Sequence, residues 1–224
     1  MEFFLPTKGI EYLLVIGYLL LLIPLSRLLF AERARTAAAR AAARGPADNM
    51  FQVPKHLLFH EGHTWARLEG RNRVAVGIDD FARQLVGPVG HVELTEVGAR
   101  VEQGTPVMAL AADSKKVPVL SPVSGRVTAI NPAAIGAARA VNDDPYGAGW
   151  LMEVEVPNVG TDSRRLVTGR AARQLMSSSW EELSGMFTPE LGMILHDGGT
   201  PVDGFARVID GQHWDDVARR FLRS

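Results

Sequence analysis

The sequence predicts an α+β protein in three parts: an N-terminal transmembrane helix, a mainly-β central domain and a helical C-terminal extension. Three observations lead there. Tyr12 to Phe30 is apolar apart from Ser26 and Arg27. From Phe51 to Pro157, short β-type runs alternate with glycine turns. Beyond Pro157 the apolar residues recur at helical spacing instead.

Composition sets the outer limits. The 224-residue chain is 46% hydrophobic and 22% charged, ordinary for a folded protein. Its formal net charge of −1 argues against a broad nucleic-acid-binding surface. It has no cysteine, which excludes disulfides, thiolate metal sites and a cysteine nucleophile.

The first part, residues 1–31, reads as an anchor. Nineteen residues from Tyr12 at helical rise span about 28 Å, close to the thickness of a bilayer core. Membrane helices tolerate a proline such as Pro24, and Arg27 sits near one end, where it can reach the headgroups. A signal peptide would carry its positive charge before the apolar run, whereas here Lys8 is offset by Glu2 and Glu11. Arg33, Arg35, Arg40 and Arg44 follow against Glu32 alone, so the positive-inside rule puts the rest of the chain in the cytoplasm. The expectation is a single-pass protein of the inner (plasma) membrane, with a basic, alanine-rich helical stalk over residues 32–49 that Gly45-Pro46 ends.

The second part, residues 50–157, reads as strands. Arg73–Gly77, Pro106–Leu110 and Gly125–Ile130 are β-type runs, with turn signals at Glu69-Gly70, Gln103-Gly104 and Ser124-Gly125. A short helix follows Asp79, whose side chain is placed to cap the amides after it. In the third part, residues 158–224, Thr168 opens a helix running to about Phe187, with Ala172, Leu175, Met176, Leu183 and Phe187 on one side. A final helix starts at Asp210 or Gly211. Its stripe of Trp214, Val217, Ala218, Phe221 and Leu222 either packs inside the molecule or docks a partner, with Trp214, Val217, Phe221 and Leu222 as the docking residues.

The landmarks of the central part have a further property. In order along the chain stand His63-Thr64-Trp65, Gly77-Ile78-Asp79-Asp80-Phe81-Ala82, Val92-Glu93-Leu94-Thr95-Glu96-Val97-Gly98, Ser121-Pro122-Val123-Ser124-Gly125 and Asn142-Asp143-Asp144-Pro145-Tyr146-Gly147-Ala148-Gly149-Trp150. Together they resemble the H protein of the glycine cleavage system over roughly residues 51–157. The resemblance implies a lipoyl/biotinyl-type barrel-sandwich hybrid domain: two small sheets with a lysine-bearing hairpin at one end. It also implies a lipoic acid arm, amide-linked to that lysine and carrying an aminomethyl group between enzymes. In the family pattern Glu-Ser-Val-Lys-Ala, the lysine stands eight residues before the proline of Pro-Val-Ser-Gly. Counting back from Pro122 lands on Ser114, and the pattern's glutamate is replaced by Ala111. Lys115 and Lys116 come one and two positions later.

That displacement suggests a retained domain whose cofactor site is lost. On this reading the protein is a membrane-anchored accessory or scaffold subunit of a larger membrane complex, of respiratory or other redox type. It carries no cofactor and contacts the lipid bilayer and neighbouring subunits, with neither nucleic acid nor a small-molecule substrate. The alternative is a lipoyl carrier with the arm on Lys115, or less favourably Lys116. The remaining candidates have plain readings. His60 and His63 lack a third metal ligand, and His196-Asp197 and His213 lack an accompanying nucleophile or phosphate loop, so neither a metal site nor an enzyme is expected. Asp143-Asp144 and Gly198-Gly199 read as turns.

Overall fold

The computed structural model describes residues 50–136, 138–186 and 203–224, all within the compact unit Pro46–Ser224. The expected anchor and stalk, His196-Asp197, Gly198-Gly199 and Phe187 lie outside the described residues. Among the described residues, no helix is long and apolar enough to cross a membrane.

The chain runs β1 (Leu58–Phe59), β2 (Thr64–Leu68), β3 (Arg73–Ile78), α1 (Asp80–Val86), β4 (His91–Leu94), β5 (Arg100–Val101), β6 (Pro106–Ala112), β7 (Lys115–Leu120) and β8 (Gly125–Ile130). There follow α2 (Pro132–Ile135), α3 (Arg139–Asp143), β9 (Met152–Glu155), α4 (Val159–Asp162), α5 (Gly169–Ser184), α6 (Phe205–Ile209) and α7 (Trp214–Leu222). One sheet has six strands in the order β1-β2-β3-β9-β8-β5 and the other three, β4-β6-β7. Every ladder is antiparallel.

Register follows from which side chains need burial. In β7, Val117 and Val119 are buried while Lys116 is exposed, the alternation of a half-covered strand. In β6 an irregularity at Val107 sets two residues against one between Pro106 and Met108, as in a β-bulge. Pro118 is accommodated on β7, which is an edge strand of its sheet.

Two glycines mark close approaches. Gly77 on β3 faces Trp65 on β2, and a Cβ at Gly77 would lie 2.4 Å from the indole. Gly125, at the junction of the Ser124-Gly125 turn signal and the predicted β-type run, opens β8. A Cβ there would fall 2.1 Å from the carbonyl oxygen of Glu155 on β9, so glycine lets the two backbones meet.

The helices follow their stripes with three differences. Thr168 occupies the N-cap position of α5, but its side chain makes no capping bond; its carbonyl accepts from Ala171 and Ala172. Trp180 joins the buried face of α5, between Phe51 at 6.1 Å and Phe205 at 5.1 Å, whereas Leu175 is half-buried. Helix α7 begins at Trp214, later than expected, because the Asp210 side chain accepts from the amides of Gln212 and His213 and holds a turn open before it.

Candidate functional site: the β6–β7 hairpin and its cover

Ala112 and Lys115 pair across a two-residue turn made of Asp113 and Ser114. Asp113 takes a left-handed backbone, φ 54°, which a short polar side chain tolerates. The apex is thus where the sequence count placed it, at Ser114, and Lys115 stands on its shoulder as the first residue of β7. Alternation along β7 puts Lys115 on the side of Val117 and Val119, and Lys116 on the other. The two amines have different surroundings. Lys115 Nζ donates to the Asp215 carboxyl and the Gln212 carbonyl, at the start of α7. Lys116 Nζ pairs with Glu93 on β4, and its hydrogen bond holds the Glu93 carboxyl below the usual glutamate value.

Trp214, Val217, Phe221 and Leu222, expected as possible docking anchors, face inward. All four are buried in the core, Leu222 completely. Phe221 lies 5.9 Å from Phe81 of α1, so the stripe is satisfied within the molecule.

The histidines have structural work. His63 Nδ1 meets Asp79 Oδ2 at 2.8 Å and His63 Nε2 meets Ser179 Oγ at 2.9 Å, while its ring stacks on Phe81 at 4.2 Å. The other Asp79 oxygen accepts from Ala82 N at 2.8 Å, the predicted cap. His60 Nδ1 accepts from the amide of Gly62, and burial pushes its pKa below the ordinary 6.5. His213 pairs with Asp210 rather than with Asp215. Among the described residues, no group of three or more His, Asp or Glu is placed to hold a metal. Asp144 accepts from the amides of Gly147 and Ala148, and Asp143 lies 3.8 Å from Arg139, so these aspartates serve the turn and the end of α3.

That turn is locked to the sheet. Trp65 Nε1 donates to the Pro145 carbonyl at 3.0 Å, and Asn131 Nδ2 donates to the carbonyls of Ala148 and Trp150. The Tyr146 hydroxyl donates to the Gln52 carbonyl and accepts from Asp80 N at 2.9 Å. Burial raises its pKa far above the usual phenol value. The Pro122–Gly125 turn is pinned in the same manner: Asp162 Oδ2 accepts from Ser124 N at 2.7 Å.

Residues 57–179, which include both sheets and the hairpin, match the glycine cleavage H-protein family model. The chain belongs to that family. Similar relatives include the glycine cleavage system H protein of Stenotrophomonas maltophilia (strain K279a), 40% identical over 109 residues, 49% of this chain and 83% of the relative. The H protein of Mycobacterium avium (strain 104) is 41% identical over 107 residues, 48% of this chain and 81% of the relative. A crystal structure of the H protein from Mycobacterium marinum covers 56% of this chain and 99% of its own, with 27% identity and a TM-score of 0.49. The family match runs past Pro157 into α5, so the bonds of His63 to Asp79 and Ser179 lie inside the H-protein region.

Membership corrects the first functional expectation. Relatives across the matched region are named glycine cleavage system H proteins, which favours the carrier alternative over a membrane-anchored scaffold subunit without a cofactor. The inner-membrane placement is corrected with it: it rested on the Tyr12–Phe30 run, and the relatives bear the H-protein name.

What the sequence missed is the cover over the hairpin. The contacts of Asp215, Gln212, Arg207 and Arg219 with residues 113–116 are long-range, and a charge at one of these positions carries no local signature of its partner.

Proposed function

We propose that this chain is a lipoyl carrier of glycine-cleavage type, with the arm on Lys115, and that it is a carrier rather than a catalyst. The observation that carries the reading is an amine at the shoulder of a two-residue hairpin turn, in a chain of the H-protein family. The residues fit the group. The Lys115 side chain is 29% exposed, and both partners of its amine belong to the C-terminal segment, so the hairpin itself leaves the amine free to be acylated. Lys116 fits less well, being farther from the apex and paired with Glu93 on β4. Attached there, lipoic acid would supply a dithiol able to carry a thiol-linked aminomethyl unit between enzymes.

The protein's own contribution is positional. The paired β6 and β7 hold the turn rigid, with Val117 and Val119 fixing which face Lys115 takes. The partners would be the modifying enzyme and the enzymes that load and unload the arm, each requiring reach to one amine.

Expression of the full chain in a lipoylation-competent host, followed by intact and peptide mass spectrometry, tests this. A single lipoyl adduct mapped to Lys115, lost in Lys115→Arg and kept in Lys116→Arg, is expected. An unmodified chain would refute the carrier reading, and an adduct on Lys116 would move the arm.

A further inference from the structure

The C-terminal segment meets the hairpin at its tip, through charges. Lys115 Nζ is shared by Asp215 in the first turn of α7 and the Gln212 carbonyl. Arg207 of α6 pairs with Asp113 at 3.1 Å, and Arg219 of α7 donates to the Lys116 carbonyl at 3.0 Å. Beneath this layer the segment is fixed by buried Phe205, Trp214, Phe221 and Leu222, with the Arg207 guanidinium 4.3 Å over the Trp214 ring. The two layers differ in strength. Apolar burial keeps the segment docked. The Lys115–Asp215 pair, with side chains 29% and 17% exposed, is weak and breaks by rotation of one lysine side chain.

We propose that Asp215 parks the unmodified Lys115 amine against α7, and that acylation of that amine releases it, so that the C-terminal helix senses whether the arm has been attached. This rests on Lys115 being the arm-bearing residue. The chemistry of the switch is a loss of charge. The ammonium gives up two protons and its nitrogen bonds the acyl carbon of an activated donor, an acyl phosphate anhydride or a thioester. The donor's bond to its leaving group breaks, and the leaving group departs with the electron pair. The amide so formed is neutral with a single N–H, and cannot reproduce the ion pair. Asp215 then keeps Arg219, 3.5 Å away on its own helix, and β7 is no longer tied to α7 through Lys115. The hydrogen bond from Lys115 holds the Asp215 carboxyl below its ordinary pKa, as a pairing of this kind requires.

The experiment acylates the purified full chain at low conversion with the N-hydroxysuccinimide ester of acetate and reads the ratio of Lys115 to Lys116 modification by peptide mass spectrometry. Asp215→Asn is expected to raise the ratio several-fold, Asp216→Asn to leave it unchanged, and Glu93→Gln to lower it by freeing Lys116. An unchanged ratio in a folded Asp215→Asn chain overturns the proposal. Hydrogen exchange gives a second readout. Lys115→Gln, neutral like the amide, is expected to speed exchange across residues 214–222 several-fold, with Lys116→Gln as wild type; equal protection in wild type and Lys115→Gln also overturns it. Should Asp215→Asn raise the ratio while neither lysine accepts a lipoyl group, the parking contact stands and the carrier reading falls.

Discussion

Replacing Asp79 by alanine removes two bonds at once, and each has a magnitude. One carboxyl oxygen caps α1 through Ala82 N at 2.8 Å; loss of such a cap costs about 1 kcal/mol. The other meets His63 Nδ1 at 2.8 Å where His63 is only 1% exposed, and a buried ring nitrogen left without its partner costs about 1–3 kcal/mol. Together these predict a destabilisation of about 2–4 kcal/mol. With a urea slope of about 2 kcal/mol/M, the unfolding midpoint should fall by about 1–2 M at unchanged slope. Asp79→Asn keeps an acceptor for Ala82 and should lose about half as much. Urea titrations of the full chain, followed by circular dichroism and tryptophan emission, read these values. In a His63→Ala background, Asp79→Ala should lose only its capping share. A midpoint within about 0.3 M of wild type, roughly 0.6 kcal/mol, would refute the assignment of His63 and Asp79 as a buried structural pair.

Three further outcomes are expected. Gly77→Ala forces a Cβ against the Trp65 ring and should cost about 1–3 kcal/mol, whereas Gly125→Ala strikes the Glu155 backbone, which has no rotamer to yield, and should cost more; thermal melts of the two variants give the order. Trp214→Ala empties a site where the indole is 3% exposed and should cost about 3–5 kcal/mol, read by urea unfolding; a surface docking anchor would cost almost nothing. His60 is held neutral by burial, with its folded pKa below 6.5, so its contribution is complete above pH 6.5 and is lost as acid protonates the unfolded chain first and the folded pKa is then approached. Wild-type stability should therefore fall as pH drops below 6.5, and His60→Gln should flatten that part of the profile in urea midpoints measured across the range.

Much of the frame could be read from residue pattern because its causes are local. Asp79 before Phe81-Ala82 states a cap, the stripe Trp214 to Leu222 states a helix with one buried side, and Gly125 to Ile130 is a strand to the residue. The position Ser114 came instead from the resemblance, by counting back from Pro122 along the family's pattern. Trp180 was missed, although it stands four residues after Met176 on the same helical face, because the serines and glutamates around it mask the period. The tail's path over the hairpin had no such signal. Asp215 and Lys115 are a hundred positions apart, and their meeting depends on how Phe205, Trp214 and Phe221 pack against α1 and α5. The functional expectation erred for a related reason: a one-residue shift of a lysine looked decisive as spelling, yet in space it moves the amine only from the summit of the turn to its shoulder.

Arg207 touches three things that the chain keeps far apart: the Trp214 indole, the Asp113 carboxyl and the carbonyl of Val86 at the end of α1. A single guanidinium therefore clamps the end of one helix, the turn of the hairpin and the last helix together, so its removal would loosen three elements in one step.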